Sequence, residues 1–217
     1  MTLAEENYLK TIFHLERKLK SEVSTNALAE RMQTRASSVT DMMQKLADKK
    51  MLVYKKYKGV QLTEKGKKAA AYVVRKHRLW EVFLVDKLNF HWDEVHEIAE
   101  QMEHINSVEL IKRLDAFLGH PDFDPHGDPI PDKDGNIKKA EKRLLSELIK
   151  NQIGICVGVK ESSPEYLQYL DKKKISIGTK INVLGKEFFD GSMMIQVGRD
   201  QFFVSKQIAE NLYVQTN

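Results

Sequence analysis

The stretch HEIAEQMEH, residues 96–104, sets two histidines and three glutamates within nine positions. A helix turns by about 100° per residue, so His96, Glu100, Glu103 and His104, at i, i+4, i+7 and i+8, share one face and present four metal-ligating side chains together. Lysine and arginine, the usual partners of acids on a solvated helix, do not occur in it. Neutral imidazole with carboxylates is a donor set for a divalent cation. Its oxygen content suits manganese or ferrous iron, while zinc, cobalt or nickel would bind the same ligands at least as tightly. His77 and Glu81, again i and i+4, form a second candidate pair. The alternative for the whole set is a structural acidic surface.

Other chemistries find no support. The zinc-protease pattern H-E-x-x-H fails, because His96-Glu97 is followed at the required position by Glu100. Glycine-rich phosphate and dinucleotide turns and the G-x-S-x-G elbow do not occur, so neither an enzyme nor a small organic substrate is expected. The single cysteine, Cys156, lies in the apolar run IGICVGV and reads as a buried strand residue. His14, His91, His120 and His126 read as surface residues.

The elements that must position these groups follow from periodicity and caps. EENYLKTIFHLERKL spaces Tyr8, Leu9, Ile12, Phe13, Leu15 and Leu19 as one amphipathic helix. VSTNALAERM opens on a Ser/Thr cap and gives a short second helix, and ASSVTDMMQKLADKK gives a third with Val39, Met42, Met43 and Leu46 as its apolar stripe. MLVYKKYKGVQL alternates about a Lys-Gly turn as a β-hairpin. That succession is a winged helix-turn-helix. Its third helix would enter the major groove, with Arg35, Ser37, Ser38, Thr40 and Asp41 reading bases, while Lys45 and the wing's Lys55, Lys56 and Lys58 neutralise phosphates.

A long helix starts near Thr63 and carries His77 and Glu81, and NFHWDEVHEIAEQMEHI and SVELIKRLDAFLG supply two more. GHPDFDPHGDPIPDKDG holds four of the five prolines and is irregular. Beyond it, short Ile-, Val- and Phe-rich runs broken by glycine predict a small β-barrel with one short helix at Ser163-Pro164. The fold class is mainly α with a small β part. Its segments are a winged helix-turn-helix at 1–72, a helical metal-binding and dimerisation segment at 73–140, and an SH3-like barrel at 141–217.

Charge separates the same segments. Residues 1–77 hold 17 Lys+Arg against 8 Asp+Glu, a net of +9, and the remainder holds 18 against 23, a net of −5, which together give the overall +4. A basic head with an acidic body points to a polyanion, here double-stranded DNA, bound by one end only. No apolar run approaches the ~18 residues of a membrane span, and the N-terminus has acids where an export signal is basic, so no membrane partner and a cytoplasmic location are expected. Trp80, Phe83, Leu84, Ile98, Met102, Leu110 and Leu114 exceed what three thin helices bury alone, and a homodimer interface is their expected use.

The winged helix-turn-helix, VRKHRLWEVFL, VHEIAEQMEHINS and the loop motif GDPIP together resemble the diphtheria toxin repressor family of metal-dependent transcriptional repressors, over essentially the full chain. The resemblance implies a repressor of metal-uptake genes that needs a divalent co-repressor and binds a palindromic operator as a homodimer. It assigns Glu100, Glu103 and His104 to one metal site, completed from the first helix at Asn7. It assigns His77, Glu81 and His96 to a second, with Glu165 of the barrel's short helix reaching toward it. Manganese-type members have a carboxylate where this chain has Glu100 and iron-type members a thiol, which favours manganese over iron. Asn7 departs from both types, which carry Asp or Met there, and Glu6 is the substitute within reach. The alternative is a dimeric winged-helix regulator indifferent to metal.

Overall fold

The computed structural model describes residues 1–55, 58–138 and 141–216, which form two compact units interleaved along the chain. One comprises Met1–Trp80, Ala99–Arg113 and Ile130–Ile137, and the other Glu81–Ile98, Leu114–Pro129 and Lys138–Asn217.

In the first unit, α1 (Leu3–Leu19) starts at a capping box in which Thr2 accepts from the Glu5 amide and the Glu5 carboxylate accepts from the Thr2 amide. Its apolar stripe is buried at Tyr8, Leu9, Ile12 and Phe13. Ser24 caps α2 (Thr25–Arg31) by accepting from Ala27 N, and α3 (Ala36–Asp48) buries Val39, Met43 and Leu46. β1 (Leu52–Lys55) and β2 (Gly59–Leu62) pair antiparallel in the register Leu52↔Leu62, and Val23, just before α2, bridges to Val60 of the wing. These pieces close on one core that includes Leu9, Ile12, Leu28, Met43, Leu46 and Val60. The expected hairpin and three-helix head are therefore present. α4 (Glu64–Leu88) begins where the Thr63 hydroxyl accepts from Gly66 N.

α5 (Val95–Met102) is shorter than its periodicity suggests, with Glu103 and His104 in the turn that follows it. Glu103 N still bonds to Ala99 O, so its side chain keeps a helical direction. α6 (Val108–Phe117) starts at Ser107, whose hydroxyl accepts from Leu110 N. The chain must leave one helical path and cap the next within five residues, and that ends α5 early.

In the second unit, β3 (Arg143–Leu144), β4 (Ile153–Val159), β5 (Lys180–Lys186), β6 (Met193–Val197), β7 (Asp200–Val204) and β8 (Leu212–Gln215) make a six-stranded antiparallel sheet in the order β3-β8-β4-β5-β6-β7. Register shifts at Cys156/Gly158 and Val183/Gly185 bend it, as a small curled sheet needs. α7 (Pro164–Lys172) covers the core with Tyr166, Leu167 and Leu170, and the short α8 (Lys206–Ala209) precedes β8. Cys156 is buried there, and burial pushes its thiol up to about 11, so the residue is structural. No described helix is long and apolar enough to cross a membrane.

Candidate metal centres and nucleic-acid interface

Of the four candidate ligands, His96 and Glu100 stand one turn apart on α5, and Glu103 and His104 follow in the turn after it. Glu100, Glu103 and His104 belong to the first unit, whereas His96 belongs to the second. α5 ends at Met102, and the turn after it carries Glu103 to Lys10 and His104 to Glu6 of α1.

Glu103 is fully buried at the centre of the first group. Its Oε2 lies 2.6 Å from His77 Nδ1 of α4, and its Oε1 accepts from Lys10 Nζ of α1 at 2.6 Å. Glu100 takes the same ammonium at 2.8 Å. His104 Nδ1 lies 2.7 Å from Glu6 Oε2, and its Nε2 faces Glu103 Oε1 at 3.7 Å. A histidine held through one ring nitrogen by a carboxylate presents the other nitrogen in a fixed direction, the usual arrangement behind a metal ligand. Glu6 thus holds His104 and lies 3.6 Å from Lys76 Nζ.

Asn7 stands on α1 between Glu6 and Lys10, and its Oδ1 is buried with no hydrogen-bond partner among the described residues. A buried acceptor normally has a donor, and leaving it without one costs about 1–3 kcal/mol. A cation satisfies such an oxygen as a donor does. The residues present thus fit a divalent ion: the carboxylates of Glu100 and Glu103, the imidazole of His104 and the amide oxygen of Asn7, without a thiolate.

Glu81 and His96 are brought together in the second unit, with His96 Nδ1 3.3 Å from Glu81 Oε1. His77 stands one turn before Glu81 on α4, and its Nδ1 lies on Glu103. Sequence reasoning missed two residues here. Glu81, Asp124 and His126 are all buried and offer three ligand atoms within 4.8 Å of one another. His126, expected at the surface, is only 6% exposed. The Pro-rich loop folds back on β4: Val159 N donates to His126 O, and Gly127, at φ +81°, comes so near that a Cβ would sit 2.0 Å from Val157 O. Asp124 Oδ1 accepts from the amides of His126 and Asp128, which closes the loop tip. The available signal was the Asp-Pro-His-Gly run, a turn with a glycine where a side chain cannot fit.

Burial would lower the His126 pKa, but hydrogen bonding and charge from Glu81, with Asp124 added, hold it up at about 9. Its Nε2 lies 2.8 Å from Trp92 O, so Nδ1 is the nitrogen turned to Glu81. Glu165 lies exposed in the first turn of α7, on the side away from Tyr166, Leu167 and Leu170, and is not among the convergent ligand groups of the described residues.

On the DNA-reading side, Arg35, Ser37, Ser38 and Asp41 are exposed at the start of α3, and Thr40 is half-buried with its hydroxyl donating to Ala36 O. Lys55 and Lys58 are exposed on the wing, and Lys56 lies outside the described residues. Lys45, read from the sequence as a phosphate contact, is half exposed and pairs at 3.0 Å with the buried Glu5, which also takes Lys49 at 2.7 Å. A buried carboxylate demands counter-charge, and Lys45 of α3 and Lys49 at its C-terminal cap supply it.

Known proteins resemble this chain in sequence and fold. The profile of the iron dependent repressor N-terminal DNA binding domain matches residues 1–60, that of the iron dependent repressor metal binding and dimerisation domain matches 63–132, and that of the FeoA domain matches 143–216. A solved structure described as a manganese-dependent transcriptional repressor in complex with manganese is 34% identical, with a TM-score of 0.86, over 98% of this chain and 100% of that one. The diphtheria toxin repressor of Corynebacterium jeikeium is 29% identical over 181 residues, 82% of this chain and 75% of that protein. The iron-dependent repressor IdeR of Mycobacterium tuberculosis is 36% identical over 126 residues, 58% of this chain, and the match spans about half of that protein's length, 54%. Proteins of this kind are transcriptional regulators and not enzymes. With its DNA-binding, metal-binding and FeoA segments matched in order, and a manganese-dependent repressor alike along its whole length, this chain belongs to the iron-dependent repressor family, that of the diphtheria toxin repressor.

Proposed function

We propose that the protein is a homodimeric, metal-dependent repressor of metal-uptake genes, acting in the cytoplasm, with manganese as the favoured co-repressor and ferrous iron second. The observation that carries this is the group at the end of α5: His104 aimed at a fully buried Glu103 by Glu6, beside the buried, partnerless oxygen of Asn7. Asn7, Glu100, Glu103 and His104 hold the first ion. The second centre draws on Glu81 and His96, with His77 one turn back on α4, and on Asp124 and His126, while Glu165 remains a more distant candidate. Manganese is supported by a donor set of oxygen and imidazole nitrogen without sulfur, and by the manganese-dependent repressor that this chain resembles. Zinc, cobalt and nickel are expected to substitute in vitro.

When bound, the ion supplies positive charge among clustered carboxylates. The chain's own residues carry the consequence to DNA. One turn of α1 places Glu6 on His104 and Glu5 on Lys45 and Lys49 of α3, so a shift of that turn toward the metal ligands moves the DNA-reading helix with it. Two such heads in a dimer meet two half-sites of a palindromic operator, about one helical turn apart. Arg35, Ser37, Ser38, Thr40 and Asp41 read bases, and Lys55, Lys56 and Lys58 contact phosphates, with Lys45 joining them only as it leaves Glu5. The functional segments are 1–72, 73–140 and 141–217.

The test is operator binding by fluorescence anisotropy at one fixed salt concentration, metal-free and with manganese, ferrous iron or zinc, for wild type and Glu103→Ala. Wild type should tighten by roughly tenfold or more with manganese, the equivalent of at least ~1.4 kcal/mol, and Glu103→Ala should lose the response. Equal binding without metal would establish the metal-indifferent regulator instead.

A further inference from the structure

Lys10 is the charged residue that the metal centre leaves unexplained. It stands on α1 one turn after Glu6, its side chain is 13% exposed, and its Nζ lies 2.6 Å from Glu103 Oε1 and 2.8 Å from Glu100 Oε1. The partners are 93 and 90 residues away in sequence, so this is a tertiary contact and not a helix-surface pair. Glu103 is fully buried, and a buried carboxylate requires a counter-charge.

The ammonium holds the very oxygens that a metal would need. A divalent ion takes oxygen ligands at about 2.0–2.6 Å, and a +2 ion that close to both carboxylates would face a +1 ammonium a few ångströms away in a poorly screened setting. Each cation therefore weakens the other's hold on those oxygens. We propose that Lys10 is a built-in counter-ion that competes with the divalent metal for Glu100 and Glu103 and thereby sets the metal concentration at which the centre fills. The inference rests on reading Glu100 and Glu103 as ligands of that centre.

Two consequences distinguish this role from an ordinary ion pair. Competition by charge opposes every dication alike, so Lys10 raises the threshold without reordering the ions. The exchange also takes place on α1 itself, between the Lys10 contact and the Asn7 oxygen, on the helix whose Glu5 holds α3.

The experiment uses the full chain. Manganese affinity is measured by competition with a fluorescent chelator, and thermal unfolding is followed by circular dichroism with and without manganese, for wild type, Lys10→Met and Lys10→Ala. Either neutral variant should bind manganese roughly tenfold more tightly or better. Each should melt below wild type without metal and show a larger rise in Tm on saturation. The alanine variant, a good helix former, keeps the comparison standing should the methionine variant not fold. A folded neutral variant whose affinity stays within about twofold of wild type, or weakens, overturns the inference while the metal centre stands. Failure of the wild-type protein to bind manganese at all overturns the centre itself, and this inference with it.

Discussion

Glu5 and Glu6 are adjacent residues with separate tasks, and only their positions on α1 distinguish them. Glu6 turns to His104, while Glu5 is buried against Lys49 and Lys45. The Lys49 hydrogen bond, opposed by burial and reinforced by Lys45, holds the Glu5 carboxyl down at about 2, below its ordinary 4.5. A depressed folded-state pKa stabilises the fold above the unfolded value and withdraws that contribution as the pH falls toward the folded one. Glu5 should therefore add stability at neutral pH that is lost between about pH 4.5 and about pH 2. Urea midpoints followed across that interval should fall more steeply for wild type than for Glu5→Gln. Parallel curves would show that the buried ion pair contributes nothing net. Neither neighbour's task was visible in the letters EE, because the partners arrive from α3 and from the turn after α5.

At the scale of elements, the caps and apolar stripes were legible and the close approaches were not. Ser24, Thr63 and Ser107 each cap the helix that their position in the sequence announces. Gly66, in the first turn of α4, looks replaceable, since alanine is the better helix former by about 1 kcal/mol. In the fold its α-carbon lies against the chain at the foot of the wing, and a Cβ there would meet Met51 O at 1.8 Å. Gly66→Ala should accordingly destabilise by about 2–3 kcal/mol, the cost of forcing a backbone shift in a packed site, as read from denaturant unfolding. A gain in stability instead would mean that α4 and the wing part easily. α5 teaches the same lesson in another form. Its periodicity runs on through His104, but the helix ends at Met102, and Glu103 and His104 meet α1 and α4 from the turn after it.

For the molecule as a whole, dimerisation must be argued from what the protomer leaves uncovered. Trp80, Leu84 and Leu114, counted by sequence toward an interface, are buried within the protomer. α6 nevertheless exposes Val108 at 74%, Leu110 at 38% and Phe117 at 65%. A dimer through this helix predicts that Val108→Glu lowers the mass seen by sedimentation velocity toward that of a 25.1 kDa monomer and weakens operator binding in parallel. An unchanged dimer would move the interface elsewhere.

The sequence by itself determined the elements and the chemistry available to them. A 3.6-residue apolar period, a basic winged head and a His/Glu-rich stretch are local properties, and local properties can be read in order along the chain. It also set the absence of sulfur from the candidate ligands, which bears on the ion. Tertiary structure decided that His77 and Lys10 lie on Glu103, that Glu6 lies on His104, and that His126 is buried beside Glu81. Each of these contacts joins residues tens of positions apart. Such pairings depend on where helices end and loops fold back, and no period or motif encodes that distance.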